Sequence, residues 1–224
     1  MSSHYRDELD RAVAFTGVDH RYVARARAAE LVHVADRQLG DPRELDVLDA
    51  GCGIGLTVPY LRDRFHSLTG TDVSAEALVV ADRENPGVRF ELAAPGRLPF
   101  DDGAFDLSFC MNVVQVIPVD ERAAFLSELA RVTRAGGLVA VFEHNPYNPL
   151  TQIVVRRFDS SASVGMLPMR EMKGLLEAAE LTPVAQGFIL LSPSRRSHAV
   201  ALERSLRRVP LGAQYYVAAR PPAV

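Results

Sequence analysis

The sequence predicts an α/β fold built on a mostly parallel sheet, and three observations carry that expectation. Short apolar runs suited to buried strands alternate with stretches whose apolar residues recur at helical spacing. One such run, Leu45 to Leu48, ends in an acid and alternating glycines, Asp49-Ala50-Gly51-Cys52-Gly53-Ile54-Gly55. The next apolar run, Ser67 to Thr71, ends in a second acid, Asp72. Strand, tight glycine turn and helix open a nucleotide-binding βαβ unit. Glycine permits φ > 0 and lets a ligand approach the backbone, and the N-terminus of the helix that follows offers free N–H groups to an anionic group.

Composition narrows the class. With 224 residues, 48% of them hydrophobic, the chain can bury one core with some decoration. A formal net charge of −3 carries no basic excess, which argues against a nucleic-acid partner. Cys52 and Cys110 fall in or beside apolar strand patterns and read as reduced core residues of a cytoplasmic protein, not as a disulfide or metal site. No H-E-x-x-H or cysteine cluster suggests a metal, and no G-x-S-x-G suggests a hydrolase. The start Met1-Ser2-Ser3-His4 leads into a charged helix without a secretory pattern, and no apolar run approaches the roughly 20 residues of a membrane span. The expectation is a soluble protein, a monomer or homodimer, with no membrane partner.

Taken in order, residues 4–39 carry helical spacing in two pieces divided around Thr16-Gly17-Val18-Asp19. The second piece, 20–39, aligns Val23, Ala26, Ala29, Leu31, Val34 and Ala35 on a broad apolar side, with Arg21, Arg25 and Arg37 outward. It precedes the first strand and so packs across the sheet instead of joining the βαβ repeat. Asp41-Pro42-Arg43-Glu44 breaks the chain before strand one. Val58, Leu61 and Phe65 mark the helix after the glycines. At the end of strand two, the Asp72 carboxylate can accept both hydroxyls of a ribose. Ser74 caps the next helix, which Asn85-Pro86-Gly87 stops. Strands three and four are 88–92 and 105–111. Asp120 caps a helix running to Val132, with Phe125, Leu129 and Val132 toward the sheet, and strand five covers 138–142. The last sheet-packing helix is 169–180. Strands at 184–191 and 213–219 follow, separated by a basic insertion with Arg195, Arg196, His198 and a helix over 199–208.

A dinucleotide fingerprint would place a third glycine at position 56, where this chain has Leu56. A G-x-G-x-G preceded by Asp49, with Asp72 after the next strand, instead resembles motif I of the class I S-adenosylmethionine (SAM)-dependent methyltransferases. That resemblance implies a Rossmann-like class I methyltransferase fold. It has a seven-stranded, mostly parallel sheet with an antiparallel last strand, helices on both faces and an N-terminal helical cap. Residues 1–40 would form the cap and 41–224 the SAM-binding domain, together one structural domain. The implied cofactor residues are Asp49, Gly51, Cys52, Gly53, Gly55, Asp72 and Val73. Leu98-Pro99-Phe100-Asp101-Asp102-Gly103-Ala104-Phe105-Asp106 resembles an L-P-F-x-D-x-x-F-D element of one large branch. The aspartate that often precedes that leucine by four residues is Ala94 here, so adenine recognition is left to backbone near Ala94 and Pro95. Asn112 to Pro118 matches the place where related enzymes often write two histidines, with Gln115 and Val116 standing instead, and Asn112 and Gln115 are the implied cofactor contacts there. Gln115 can hydrogen-bond cofactor or substrate but cannot take a proton. Arg131 to Gly137 resembles an R-x-x-x-x-G-G turn into strand five.

Glu143-His144-Asn145-Pro146-Tyr147-Asn148-Pro149-Leu150-Thr151 lies at the carboxyl end of a parallel strand, where open α/β sheets place their chemistry. With Pro210-Leu211-Gly212-Ala213-Gln214-Tyr215-Tyr216 it resembles a bacterial subgroup of small-molecule methyltransferases. The resemblance implies methyl transfer to a small metabolite, oxygen favoured. N- or C-methylation, or a reaction such as cyclisation on the same fold, remains open. His144 is the candidate general base, with an unperturbed pKa near neutrality. The alternative is a structural histidine holding the post-strand loop. Tyr5, Phe15, Tyr22, Asn145, Tyr147 and Arg156 are candidate substrate contacts, with Arg156 to Asp159 as a lid or else a solvated surface.

Overall fold

The structure is a computed structural model that describes residues 19–158, 165–191 and 207–222. The expected helix before residue 19, most of the basic insertion with Arg195, Arg196 and His198, and Asp159 lie outside the described residues. Tyr5 and Phe15 lie outside them as well.

Helix α1 (His20–Leu39) opens at Asp19, whose side chain accepts the Tyr22 N–H at 2.8 Å, and it closes on Gly40. Then follow β1 (Asp46–Ala50), α2 (Val58–Leu61), β2 (Ser67–Asp72), α3 (Ala75–Glu84), β3 (Arg89–Leu92) and β4 (Phe105–Met111). The second half contains α4 (Arg122–Val132), β5 (Thr133–His144), α5 (Pro149–Phe158), α6 (Met169–Ala178), β6 (Thr182–Ile189) and β7 (Gln214–Arg220). The sheet order is β3-β2-β1-β4-β5-β7-β6. Strands β1 to β5 pair in parallel, and β7 enters antiparallel between β5 and β6. From β1 the chain winds outward to β2 and β3, then returns to build β4 and β5 on the other side. The carboxyl ends of β1 and β4 therefore flank a crevice.

The period-two alternation of strand side chains divides the core between the two faces. Val47, Phe109, Ala140, Phe142 and Tyr216 pack against Ala28, Leu31, Val32 and Ala35 of α1 and Leu61 of α2. Leu48, Cys110, Val139, Val141 and Tyr215 face Leu126 and Leu129 of α4 and Met172 and Leu176 of α6. Helix α1 thus packs across the sheet, as its position before β1 requires. Two polar ties reinforce it: Arg207 Nη2 meets Glu30 Oε2 at 2.7 Å, and Arg220 donates to the Gln38 carbonyl at 2.9 Å. Ser74 caps α3 through the Ala77 N–H at 3.2 Å.

Three local expectations change. The helix after the glycines is a single turn, α2, because the chain must return at once to the sheet: the His66 N–H already bonds the Leu45 carbonyl. Few peptide dipoles align in so short a helix, so it offers little of the N-terminal charge expected from the sequence. Asp120 does not cap α4. Glu121 holds that position in helical conformation without a side-chain bond, and the start is tied by Arg122 donating to Ile117 and Gln115 carbonyls. Strand β5 begins at Thr133, which pairs with Phe105 before the register shifts to Leu107 and Leu138. The Leu98–Asp102 turn is tied to α4. Arg131 donates to the Leu98 and Phe100 carbonyls and to Asp102, while Glu128 on the same helix holds its guanidinium.

Candidate functional site

The carboxyl ends of β1, β2, β4 and β5 open on one cleft of about 1190 Å³. Pockets for a single small ligand run to roughly 300–1,000 Å³, so this cleft has room for two molecules side by side. One end is the glycine turn. The other is walled by Ile117, Phe125, Leu150, Val154 and Val155, with the N-terminal half of α1 across it.

At the first end, Gly51 and Gly53 hold φ of 80° and 55°. A Cβ on Gly51 would strike Val113, whereas one on Gly53 would meet nothing within 4 Å and would stand in open space beside the cleft. The turn is thus compact behind and open in front, the shape a ligand needs to lie on backbone. Asp72 Oδ2 accepts the Gly53 N–H at 2.8 Å and Oδ1 accepts the Ser74 N–H at 2.9 Å, which aims the carboxylate and leaves lone pairs for a diol. Asp49 is 2% exposed and accepts from the Thr57 hydroxyl at 3.1 Å. Burial pushes its carboxyl up to about 7, against the pull of Thr57 and with the help of neighbouring Asp72. Such a group gains most from a cation placed beside it. Gln115 lines the cleft, and its buried Oε1 has no hydrogen-bond partner among the described residues. An open glycine cradle, two carboxylates and an orphaned acceptor fit the ribose, the ammonium group and the other donors of the implied cofactor. Val73, Ala94 and Pro95 line the same end, although the Ala94 carbonyl already accepts the Arg97 N–H at 3.1 Å.

At the second end, β5 and β7 pair His144 with Gln214. Their side chains meet as well, with Gln214 Nε2 3.2 Å from His144 Nδ1. Gln214 Oε1 accepts from Arg27 Nε at 2.6 Å, and Asn112 Oδ1 lies 3.4 Å from Gln214 Nε2. Arg27, Asn112, His144 and Gln214 all line the cleft. Asn112 holds φ of 60° at the end of β4, a conformation asparagine tolerates well. One residue before His144, the alternation turns Glu143 inward. It is fully buried, accepts the Gln115 N–H at 3.2 Å, and burial pushes its carboxyl up to about 8 despite the Gln115 and Val114 N–H groups.

His144 differs from its expectation of a base poised near neutrality. It reaches the cleft but is otherwise enclosed, and burial together with the charge of Arg27 pulls its imidazole down to about 3. Tyr22 lines the cleft. Asn145 does not: it is 1% exposed, donating to the Pro210 and Gly212 carbonyls at 3.0 and 2.8 Å and accepting the Tyr147 N–H. Neither of the other two borders the cleft: Tyr147, 70% exposed, stands in the turn before α5, and Arg156 is exposed because α5 turns Val154 and Val155 inward instead. The two resembled stretches, 143–151 and 210–216, therefore serve one another. Asn148 donates to the Leu211 carbonyl and Thr151 to the Ala213 carbonyl, so the loop after β5 is stitched to the entry of β7.

Sequence reasoning missed Arg27, Thr57, Glu143 and Gln214. Arg27 stands four residues after Val23 on the inward side of α1, a spacing that was available. The Gln214–His144 meeting depends on β7 entering beside β5, which no local pattern states.

Residues 48–141 match a family described as a methyltransferase domain. The chain is 32% identical over 165 residues to a phosphatidylethanolamine N-methyltransferase of Cereibacter sphaeroides, covering 67% of this chain and 80% of that one. It is 33% identical over 129 residues to a malonyl-[acyl-carrier protein] O-methyltransferase of Hamiltonella defensa, covering 57% of this chain and 49% of the relative. The chain thus spans about half the length, or less, of the relatives of that second kind. Among solved structures, the complex of the Haloferax volcanii Trm112 methyltransferase activator with a methyltransferase matches with a TM-score of 0.67. At 21% identity, over 98% of both chains, it shows a shared fold.

Proposed function

The chain belongs to the class I SAM-dependent methyltransferases, and on that premise we propose that it methylates an oxygen of a small, partly apolar molecule. The observation that carries this reading is the single continuous cleft, which runs from the glycine turn to an apolar wall and exceeds the volume of one ligand. When bound, SAM supplies a methyl group on a sulfonium, which an acceptor lone pair takes as the C–S pair returns to sulfur. The chain's own task is then placement and exclusion of water. Asp72, Gly53 and Asp49 orient the nucleoside and amino-acid ends, while Ile117, Phe125, Leu150, Val154 and Val155 offer the acceptor a dry surface. His144 and Asn112 stand where the two halves of the cleft meet the β4 and β5 ends, as candidate contacts for the acceptor's polar group. An exchangeable small molecule also suits a net charge of −3 better than a polyanion does.

Calorimetry with S-adenosylhomocysteine and with NAD tests the cofactor half: the former is expected to bind and the latter not. A metabolite mixture incubated with methyl-labelled SAM then tests the acceptor half by mass spectrometry. Labelled methyl on oxygen of a small molecule is the expected result. Label appearing only in intact tRNA or DNA would refute it.

A further inference from the structure

Resting on that reading, we infer that Arg27 and Gln214 hold His144 as a hydrogen-bond donor, with its proton on Nε2, and that the acceptor is a carboxylate on an apolar chain.

The argument begins at Arg27. A guanidinium has only N–H donors, so the atom of Gln214 that lies 2.6 Å from Arg27 Nε must be the amide oxygen. That places the Gln214 NH2 group toward His144 and Asn112, and the Asn112 Oδ1 contact agrees with the same orientation. An NH2 group donates, so the ring nitrogen it meets, Nδ1 at 3.2 Å, must accept. A neutral imidazole with an accepting Nδ1 carries its hydrogen on Nε2. Neutrality follows from the same surroundings, since burial and Arg27 both oppose a charged ring. Among the described residues Nε2 has no hydrogen-bond partner, and His144 lines the cleft, so this N–H is the group offered to a bound molecule.

A ring nitrogen that already bears hydrogen cannot remove a proton from a hydroxyl. A carboxylate does not ask it to. One of its oxygens supplies the electron pair for the new O–CH3 bond while the C–S pair returns to sulfur. The anion and the sulfonium become a neutral ester and a neutral thioether, with no proton left over. The second oxygen is free to accept the His144 N–H. A neutral amine's one lone pair would instead be blocked by that donor, and a hydroxyl, though it keeps a second lone pair, would still need a base for its proton. Arg27 lines this wall and its charge reaches the His144 ring, which favours an anion there, while burial pushes the Glu143 carboxyl up, away from its charged form. The acids that line the cleft are Asp49 and Asp72 at the glycine turn, Glu121 just before α4 and Glu128 on it. Beyond the polar group, Leu150, Val154 and Val155 suit an apolar tail.

The test has two arms on the full chain loaded with S-adenosylhomocysteine, whose binding is measured first. Histidine 15N NMR, with His144→Phe to assign the signal, is expected to show a bare Nδ1 and a protonated Nε2. Gln214→Glu, which can only accept from the ring, is expected to reverse them. Calorimetry with decanoate and decanol is expected to show decanoate binding more tightly by roughly ten- to a hundredfold, the range for a hydrogen bond to a charged group, and His144→Phe is expected to abolish the difference. A proton on Nδ1 in the unaltered protein overturns the donor assignment. Decanol binding as well as decanoate, or neither binding, overturns the acceptor class. Failure to bind S-adenosylhomocysteine at all would count against the cofactor reading and leave the ring's protonation to be read on its own.

Discussion

Two backbone N–H groups, those of Gly53 and Ser74, converge on the Asp72 carboxylate before any ligand reaches it. Replacing Asp72 by alanine therefore removes a ligand contact and the brace that shapes the turn. S-adenosylhomocysteine affinity is expected to fall by about 1–3 kcal/mol, the cost of losing a buried hydrogen-bond partner, as read by calorimetry. Glu143 makes the opposite kind of prediction. Its folded carboxyl sits at about 8 against an ordinary 4.5, so the folded state binds the proton more tightly than the unfolded chain. The stabilisation this supplies is complete below the ordinary value and is lost as pH rises through about 8. Asp49, raised to about 7, adds to the same trend. Urea unfolding of the unliganded protein should show stability declining across that interval. Glu143→Gln should flatten the decline, and an unchanged slope would show that Glu143 is ionised in the folded chain.

Between elements, the decisive join is the one linking the loop after β5 to the entry of β7. Asn145 donates both amide hydrogens to carbonyls sixty-odd residues away while almost wholly enclosed. Asn145→Ala leaves those carbonyls without that donor and should cost about 1–3 kcal/mol in urea unfolding. Asn148 makes a similar bond to the Leu211 carbonyl at 2.6 Å, but in an exposed position where water can replace it. Asn148→Ala should cost less than about 1 kcal/mol. Should the two prove equal, burial is not what gives the Asn145 contacts their worth. Helix α1 depends on a different join, the packing of Leu31 and Ala35 on the sheet, and it brings Arg27 to the cleft only because that packing sets its rotation.

For the molecule as a whole, the cleft is formed by the ends of β1, β2, β4 and β5 together with α1, α4 and α5, so a ligand in it bridges both sides of the sheet's midline. Binding there must stabilise the fold, since the unfolded chain has no such site. At a hundredfold excess over its Kd, S-adenosylhomocysteine should add about 2.7 kcal/mol to the free energy of unfolding. Calorimetric unfolding with and without it checks this, and the shift should shrink for Asp72→Ala at the same concentration. Among the described residues, no helix is long and apolar enough to cross a membrane.

By itself, the sequence determined what depends on near neighbours and on period. The short buried strands, the Ser74 cap, the positive-φ glycines between Asp49 and Asp72, and the apolar side of α1 are all local consequences of residue type. The same locality explains why the fold class was legible and why most of the cleft's glycine end could be named, with Gly55 the exception: it does not line the cleft, and a Cβ there would meet Asn85 and Ala81. Tertiary structure alone decided the other end. Asn145 read as a substrate contact until the segment entering β7 arrived to receive its hydrogen bonds, Tyr147 stayed exposed in the loop before α5, and Arg156 faced away once α5 took its rotation. His144 carried an ordinary histidine's chemistry until burial and Arg27 lowered its pKa. The hydrogen on its ring was assigned by Gln214, seventy residues distant, through an antiparallel pairing with β5. A side chain's type is written in the chain, but its ionisation and the direction of its hydrogen bonds are set by partners that only the folded sheet brings within reach.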